Sequence, residues 1–250
     1  MNRTTRIILV VAAALVVLAG AGILWFFSGD EPDEVGLEAA TEQLTDPATS
    51  ATEGTSDASS STEPADIDGT WSVDTSSGDF DYETATGTFA GFRIEEELAQ
   101  IGSTTAVGRT GDVSGELTVE GTTVTGADFR IDMTTITTNE SRRDDNVQDA
   151  LETSEFPDAA FSLVEPIELP EEALLGEPVE VAAQGEMTIH GETRPVTVAL
   201  EAQLVDDTIV VVGSTEVTFS DFGVEVPSSP LVLSVQDHGT VEMQLLLTRS

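Results

Sequence analysis

The sequence contains no cysteine and no lysine. Without cysteine, it can form no disulfide bridge, thiolate metal site, cysteine nucleophile or acylated lipoprotein cysteine. The nine basic residues are all arginine, and against 47 acids they leave a formal net charge of −38. Nucleic-acid binding needs clustered cations, so this balance argues against it. The charge also opposes tight docking on an anionic lipid surface and is typical of a solvated, salt-adapted protein.

Residues that carry catalysis are scarce as well. The two histidines, His190 and His238, each precede a glycine, which is typical of a turn. A G-x-S-x-G elbow, a glycine-rich phosphate loop and metal-ligand spacing are all absent, although geometry alone would define a Ser-His-Asp triad. We therefore predict no catalytic residue, metal site or cofactor. Arg142, Arg143 and Arg194 are predicted to form structural ion pairs, the alternative being donors to the polar end of a ligand.

One long hydrophobic run is present, over residues 7–27. About 20 apolar residues span a hydrocarbon core as a helix. Arg3 and Arg6 precede the run and acids follow it, so the positive-inside rule places the N-terminus in the cytoplasm. Residues 1–28 are thus predicted to be a single-pass anchor in the cell membrane, with the rest extracytoplasmic. The alternative is a signal peptide cleaved after Ala19-Gly20-Ala21.

Residues 29–66 are acidic, rich in Ser, Thr, Ala and Pro, and free of basic and aromatic residues. Such a segment buries too little apolar surface to offset its ordering entropy. It is predicted to be a flexible linker with a reach of about 35 Å. Within it, residues 37–44 are expected to form only a transient helical turn.

Beyond Trp71 the sequence alternates apolar and polar residues, the pattern of half-buried antiparallel strands. Alternating stretches cover residues 117–124, 129–133, 196–204, 209–219 and 241–247, with turns predicted at Glu120-Gly121 and Asp206-Asp207. Short helices are predicted over 92–101 and 145–153. The fold class is therefore all-β, an antiparallel barrel of about eight strands with one or two short helices, since closure removes exposed strand edges.

Several motifs resemble the YceI-like family, in the order in which that family has them. The most specific is GEMTIHGETRPVTV at 185–198, which is similar to the family's G-x-L-T-I-H-G-x-T-R-P-V hairpin. Further matches are WSVD at 71–74, FRIDMTTITT at 129–138, SRRD at 141–144 with FPDAAF at 156–161, and FSDFGV at 219–224. The sequence departs from the family near its first strands, where residues 74–80 lack a histidine.

The resemblance implies a lipocalin-like barrel over residues 67–250 that binds polyisoprenoid or related amphipathic chains. We therefore predict extracytoplasmic binding, sequestration or carriage of a lipid-like ligand in an apolar cavity. The alternative is a ligand-free envelope-stress or protein-interaction module with a packed core. The residues predicted to line the cavity are Phe89, Phe92, Phe129, Ile131, Phe161, Phe219 and Phe222, and for each of them a filled core is the alternative.

Overall fold

Strands form where the sequence alternates apolar and polar residues. The computed structural model describes residues 32, 34–45, 64–98, 102–138, 141–225 and 232–250. The strands in these ranges are β1 (Gly69–Val73), β2 (Phe89–Leu98), β3 (Gly102–Thr110), β4 (Val113–Glu120), β5 (Thr123–Asp132), β6 (Asp158–Leu163), β7 (Ile167–Glu168), β8 (Val179–Ile189), β9 (Glu192–Val205), β10 (Thr208–Thr218), β11 (Val232–Val235) and β12 (His238–Arg249).

Eight strands pair edge to edge in a closed antiparallel ring, in the order β1, β4, β5, β6, β8, β9, β10, β12. The ring closes because the end of β12 pairs with β1, with Trp71 opposite Arg249. The first half of β12 pairs instead with β2, with Val241 opposite Phe92. β2 in turn pairs with β3 and β11. The predicted all-β class and antiparallel barrel of about eight strands are confirmed.

Both predicted hairpin turns are present. Gly121 joins β4 to β5 with a φ of 64°, and Asp206 joins β9 to β10 with a φ of 51°. Left-handed backbone is free of strain for glycine, and aspartate is among the few other residues that tolerate it. The turns therefore fix the register in which the inward-facing side chains of each hairpin meet.

α-Helices occur in two places within the described ranges, α1 (Leu37–Thr45) and α2 (Ser141–Ala150). α2 agrees with the helix predicted over 145–153, although it begins earlier. The helix predicted over 92–101 is wrong, because β2 extends to Leu98 and hydrogen bonds on both of its edges. Phe92 and Leu98 fit a helical face in spacing, but β2 pairs with β3, the next strand, and with β12 near the end of the sequence.

The barrel interior has an upper and a lower part. The upper part, towards the turns at Gly121 and Asp206, holds apolar residues of β1, β4, β5, β10 and β12. The lower part is a packed cluster in which Met187 and Ile189 of β8 contact Phe219 and Phe222. The last two belong to a 3-10 helix, Phe219–Phe222, which follows β10. The lower end of the barrel is therefore filled with side chains.

A second layer covers the outer face of β10 and β12. α1 buries Leu37 and Ala40 against Val210, Val212 and Leu246. These three strand residues point away from the interior, because their neighbours in sequence line the inside. α1 lies within the predicted flexible linker, so that prediction misses a docked helix. The missing signal is the outer apolar face, which becomes visible only once β10 and β12 are paired.

No helix within the described ranges is long and apolar enough to cross a membrane. The predicted anchor over residues 7–27 lies outside those ranges, as does the remainder of the predicted linker apart from residues 32, 34–45 and 64–66.

Candidate functional site

An apolar cavity of about 100 Å³ lies in the upper part of the barrel. Its walls come from β4, β5, β6, β8, β9, β10 and β12, and all lining residues except Glu177 and Gln203 are apolar. The apolar lining residues are Ile67, Leu117, Val119, Val124, Ala127, Phe129, Phe161, Leu163, Ile167, Leu169, Ala173, Val179, Val181, Ala183, Leu200, Ala202, Leu204, Ile209, Val211, Met243, Leu245 and Leu247.

Small residues at inward positions make room for the cavity. Ala127, Ala183 and Ala202 face it from three different strands. A leucine or phenylalanine at any of these positions would occupy the space, because protein interiors otherwise pack to high density. At the floor, the ring of Phe161 lies on Gly185, where a Cβ would come within 2.4 Å of Phe161 Cζ. Glycine there lets the ring lie flat against β8, below the cavity.

The upper end of the cavity, the mouth, is covered by two segments that meet over it. Residues 64–68 precede β1, and the 3-10 helix Glu171–Leu175 precedes β8. A backbone hydrogen bond of 2.7 Å from Ala65 N to Leu174 O joins them. Ile67 and Ala173 line the cavity from the two segments. This backbone hydrogen bond and apolar contacts join the two segments, and Trp71 Nε1 also donates to Ile67 O at 2.9 Å.

The two polar residues of the lining lie at the mouth. Gln203 of β9 pairs with the outward-facing Val210, so its side chain points away from the interior, and its Nε2 donates to Gly176 O at 3.0 Å. Glu177, which follows Gly176 in the chain, is exposed to solvent. An apolar interior with a few polar groups at one end is the arrangement of an amphipathic-ligand site, because the chain and the head group of such a ligand need different surroundings.

A family model for the YceI-like domain matches residues 71–247, well over half of the sequence. The chain belongs to the YceI-like family. This confirms the resemblance found in the sequence motifs. No curated protein matches the chain.

Solved structures with the same fold include the polyisoprenoid binding domain from Saccharophagus degradans implicated in plant cell wall breakdown. Its TM-score is 0.53 at 16% identity, over 72% of this YceI-like chain and 98% of that one. BcnA of Burkholderia cenocepacia has a TM-score of 0.49 at 16% identity, and the match covers 63% of this chain and 95% of BcnA. The YceI protein of Campylobacter jejuni has a TM-score of 0.48 at 18% identity, and the match covers 57% of this chain and 84% of that one. At these identities the first of the three shows the shared fold.

Two of the seven predicted lining residues, Phe129 and Phe161, line the cavity of this YceI-like barrel. Ile131 follows Phe129 on the same face of β5 and packs against the upper core outside the cavity. Phe219 and Phe222 belong to the packed lower cluster. The role of these residues in ligand binding stays a prediction.

Phe89 and Phe92, both on β2, also lie outside the cavity. Phe92 packs on Gly108 of β3, where a Cβ would come within 2.5 Å of its ring. Phe89 pairs with Gln244, on the opposite face of β12 from the cavity residue Met243. It therefore faces the outer layer, with the Arg109 guanidinium 4.7 Å above its ring. The prediction that Phe89 faces inward is wrong, because β2 directs Ala90 to the interior.

The aliphatic and small residues of the cavity were missed by the sequence analysis, which selected mainly aromatic residues. Their signal was present in the alternation of β8, where Val179, Val181 and Ala183 occupy inward positions and Ala182 is exposed. Recognising Ala183 as a cavity residue rather than a core residue requires knowing what lies across the barrel. That information comes from the pairing of strands distant in the sequence.

A network of buried charges lies in the outer layer. Glu242 of β12 accepts hydrogen bonds of 2.7 Å from Arg93 Nε and from Arg109 Nε. Arg93 also donates to Pro32 O at 2.7 Å, and Arg109 to Tyr82 O at 3.1 Å. Each charge is hydrogen bonded, which is the condition under which buried charges are tolerated. The network connects three parts of the outer layer and contacts no part of the cavity.

Three of the remaining candidate residues, His190, Arg143 and Arg194, form structural contacts. His190 lies 2.9 Å from Glu152 through Nε2 and 3.3 Å from Phe222 O through Nδ1. Arg143 pairs with Glu96 at 2.8 Å, and Arg194 with Glu192 at 3.1 Å. The described side chains include no group of three or more His, Asp or Glu placed to hold a metal ion.

Proposed function

We propose that this YceI-like protein binds a lipid-like, amphipathic molecule and holds its apolar chain in the barrel cavity. The observation that supports this is the cavity itself, which is almost wholly apolar yet unfilled by side chains. Burial of apolar surface contributes about 25 cal/mol per Å², so a few hundred Å² of chain would give several kcal/mol before the costs of association. The reaction is binding and release, and no covalent step is needed.

The size of the cavity defines what binding requires. An apolar cavity of about 150 Å³ holds one benzene, and the present cavity measures about 100 Å³. It thus accepts a short segment of chain as it stands. A longer chain requires the lining to move apart, and Met243, with its flexible and polarizable side chain, lies in that lining. A polyisoprenoid would also part the two covering segments at the hydrogen bond between Ala65 and Leu174.

Family membership and the fold shared with the polyisoprenoid binding domain of Saccharophagus degradans support this ligand class. We further propose that the barrel works outside the cytoplasm, anchored by residues 7–27. N-terminal sequencing of the mature protein tests the anchor. A sequence beginning at Met1 or Asn2 agrees with it, and one beginning after Ala21 contradicts it.

Ligand binding is tested with a matched pair of substitutions on β8. Ala183 is buried and lines the cavity, whereas its neighbour Ala182 is exposed on the other face. Ala183→Leu should fill the cavity and reduce the lipid that co-purifies with the protein at least about tenfold, since the added methylenes take the place of the chain. Ala182→Leu should leave the lipid content unchanged. Lipid per mole of protein is measured by mass spectrometry of an organic extract.

Unfolding in urea accompanies the extraction, to show that both variants remain folded. Lipid in the unaltered protein and in Ala182→Leu but not in Ala183→Leu supports the proposal. The carrier function is contradicted if none of the three proteins contains lipid and the unaltered protein also fails to bind added isoprenoid. The ligand-free interaction module then becomes the better interpretation.

A further inference from the structure

The mouth of the cavity combines an apolar interior with a rim that carries negative charge. We infer that the ligand has an uncharged or cationic head group, and that the mouth discriminates against phosphate and carboxylate head groups. This inference rests on the proposed function and specifies which amphipathic molecules the same cavity accepts.

No cationic side chain that the structure describes lines the cavity. The sequence has no lysine, and none of the arginines whose side chains the structure describes lines the cavity. Five of them pair with acids elsewhere in the fold. The pairs are Arg93 and Arg109 with Glu242, Arg130 with Asp158, Arg143 with Glu96, and Arg194 with Glu192.

Arg249, near the mouth, is occupied by the protein itself. Its guanidinium lies 4.9 Å above the ring of Trp71. It donates hydrogen bonds to the backbone carbonyls of Asp66 and Asp68. The planar group is therefore held against the segment that covers the mouth, where it stabilises the cover. Binding a phosphate through Arg249 would require these contacts to break.

The segments around the mouth carry negative charge. Glu171 and Glu172 open the 3-10 helix of the cover, and Glu177 follows it. Asp206 and Asp207 form the turn between β9 and β10, beside the cavity residue Leu204. Each of these acids is exposed. Like charges raise the free energy of an anion brought to the mouth, and the effect is largest at low ionic strength.

Among the residues that line the cavity, Glu177 is the one that carries a charge, and it is exposed at the mouth. A neutral hydroxyl head group placed there experiences no repulsion between like charges. A cationic head group would in addition gain from the attraction of the Glu177 carboxylate.

The experiment compares three probes with one apolar chain: geranylgeraniol, geranylgeranylamine and geranylgeranyl phosphate. Dissociation constants for the full-length protein are measured by quantifying bound probe over a concentration series, at about 10 mM and about 1 M NaCl. At low salt we expect the phosphate to bind at least about tenfold more weakly than the alcohol, and the amine at least as tightly. At 1 M salt the ratio of the phosphate dissociation constant to the alcohol dissociation constant should fall to about threefold or less, because the Debye length falls to about 3 Å.

Glu177→Gln should lower the ratio of the phosphate dissociation constant to the alcohol dissociation constant at low salt about two- to threefold. Glu216→Gln is the matched control, since Glu216 is exposed near the lower end of β10 and the substitution removes the same charge. An equal fall of this ratio in both variants would overturn the inference that the mouth discriminates against anionic head groups. A phosphate that binds as tightly as the alcohol would overturn the inference and leave the proposed function standing. Failure of all three probes to bind would overturn both.

Discussion

At the scale of single residues, the described part of the chain buries charge only where it is compensated. No buried side-chain nitrogen or oxygen there lacks a hydrogen-bond partner. Glu242, 2% exposed, accepts from two guanidinium groups. Two buried arginines share this one carboxylate in a charged cluster beneath the outer layer. Carbonyl oxygens such as Pro32 O complete it.

Glu242→Gln should lower the free energy of unfolding by about 3 kcal/mol or more, because it removes the carboxylate that the buried guanidinium groups of Arg93 and Arg109 share. Urea unfolding measures the change in midpoint at constant slope. Glu216→Gln, exposed on the neighbouring strand β10, should change the free energy by no more than about 0.5 kcal/mol. Equal effects of the two substitutions would show that the network is already open to solvent.

A second residue-scale prediction concerns Asp132. The hydroxyl of Thr134 and then its backbone N–H donate to this carboxylate and hold its pKa below the ordinary value of 3.8. The stabilisation is therefore present above pH 3.8 and is lost as pH falls through the lower pKa of the folded state. Thr134→Val removes the stronger donor, so the pKa of Asp132 should rise towards 3.8. Carboxyl NMR titration measures it, with Thr125→Val, exposed on the same β5 strand, as the control.

At the scale of elements, α1 changes the organisation of the chain. It lies before the barrel in sequence but packs on β9 and β10. Its neighbour in the outer layer is the segment before β2, since Gln43 of the helix donates to Ala85 O. That segment is fixed to β12 in turn, through Gln244 and the carbonyls of Ala85 and Gly87. α1 is therefore an integral part of the folded domain.

Leu37→Ala should lower the free energy of unfolding by about 2 kcal/mol, the lower end of the range for a buried leucine, because the helix lies at the surface. Glu38→Ala changes an exposed residue of the same helix and should have an effect of less than about 0.5 kcal/mol. Urea midpoints of the full-length protein compare them. If both variants unfold at the midpoint of the unaltered protein, α1 does not contribute to stability.

The sequence predicted elements whose information is local and missed those that depend on distant partners. β9 and β12 follow from alternation alone, and the turn at Asp206 from its two acids. The helical interpretation of residues 92–101 was wrong because β2 forms a strand pair with β12, which lies near the end of the sequence. Neither that pair nor the outer site for α1 can be inferred until the barrel is closed.

At the scale of the whole molecule, charge dominates. A formal net charge of −38 makes the compact state repel itself. The melting temperature should therefore rise by several degrees between about 10 mM and about 1 M NaCl, since salt screens the repulsion. Differential scanning calorimetry measures it, with a neutral osmolyte of matched osmolality as the control. A flat or falling profile would mean that the acids are compensated locally.

The position of Pro32 limits the length of the linker between the barrel and the predicted anchor. Arg93 holds Pro32 O, so only Ser28, Gly29, Asp30 and Glu31 separate the docked chain from the apolar run that ends at Phe27. Fully extended, this stretch covers at most about 18 Å, half of what an unstructured linker of residues 29–66 would reach. With such an anchor, the barrel would move laterally with the lipid leaflet and meet lipids by two-dimensional diffusion. The effective concentration of membrane lipid at the barrel would then not depend on how much protein the cell makes.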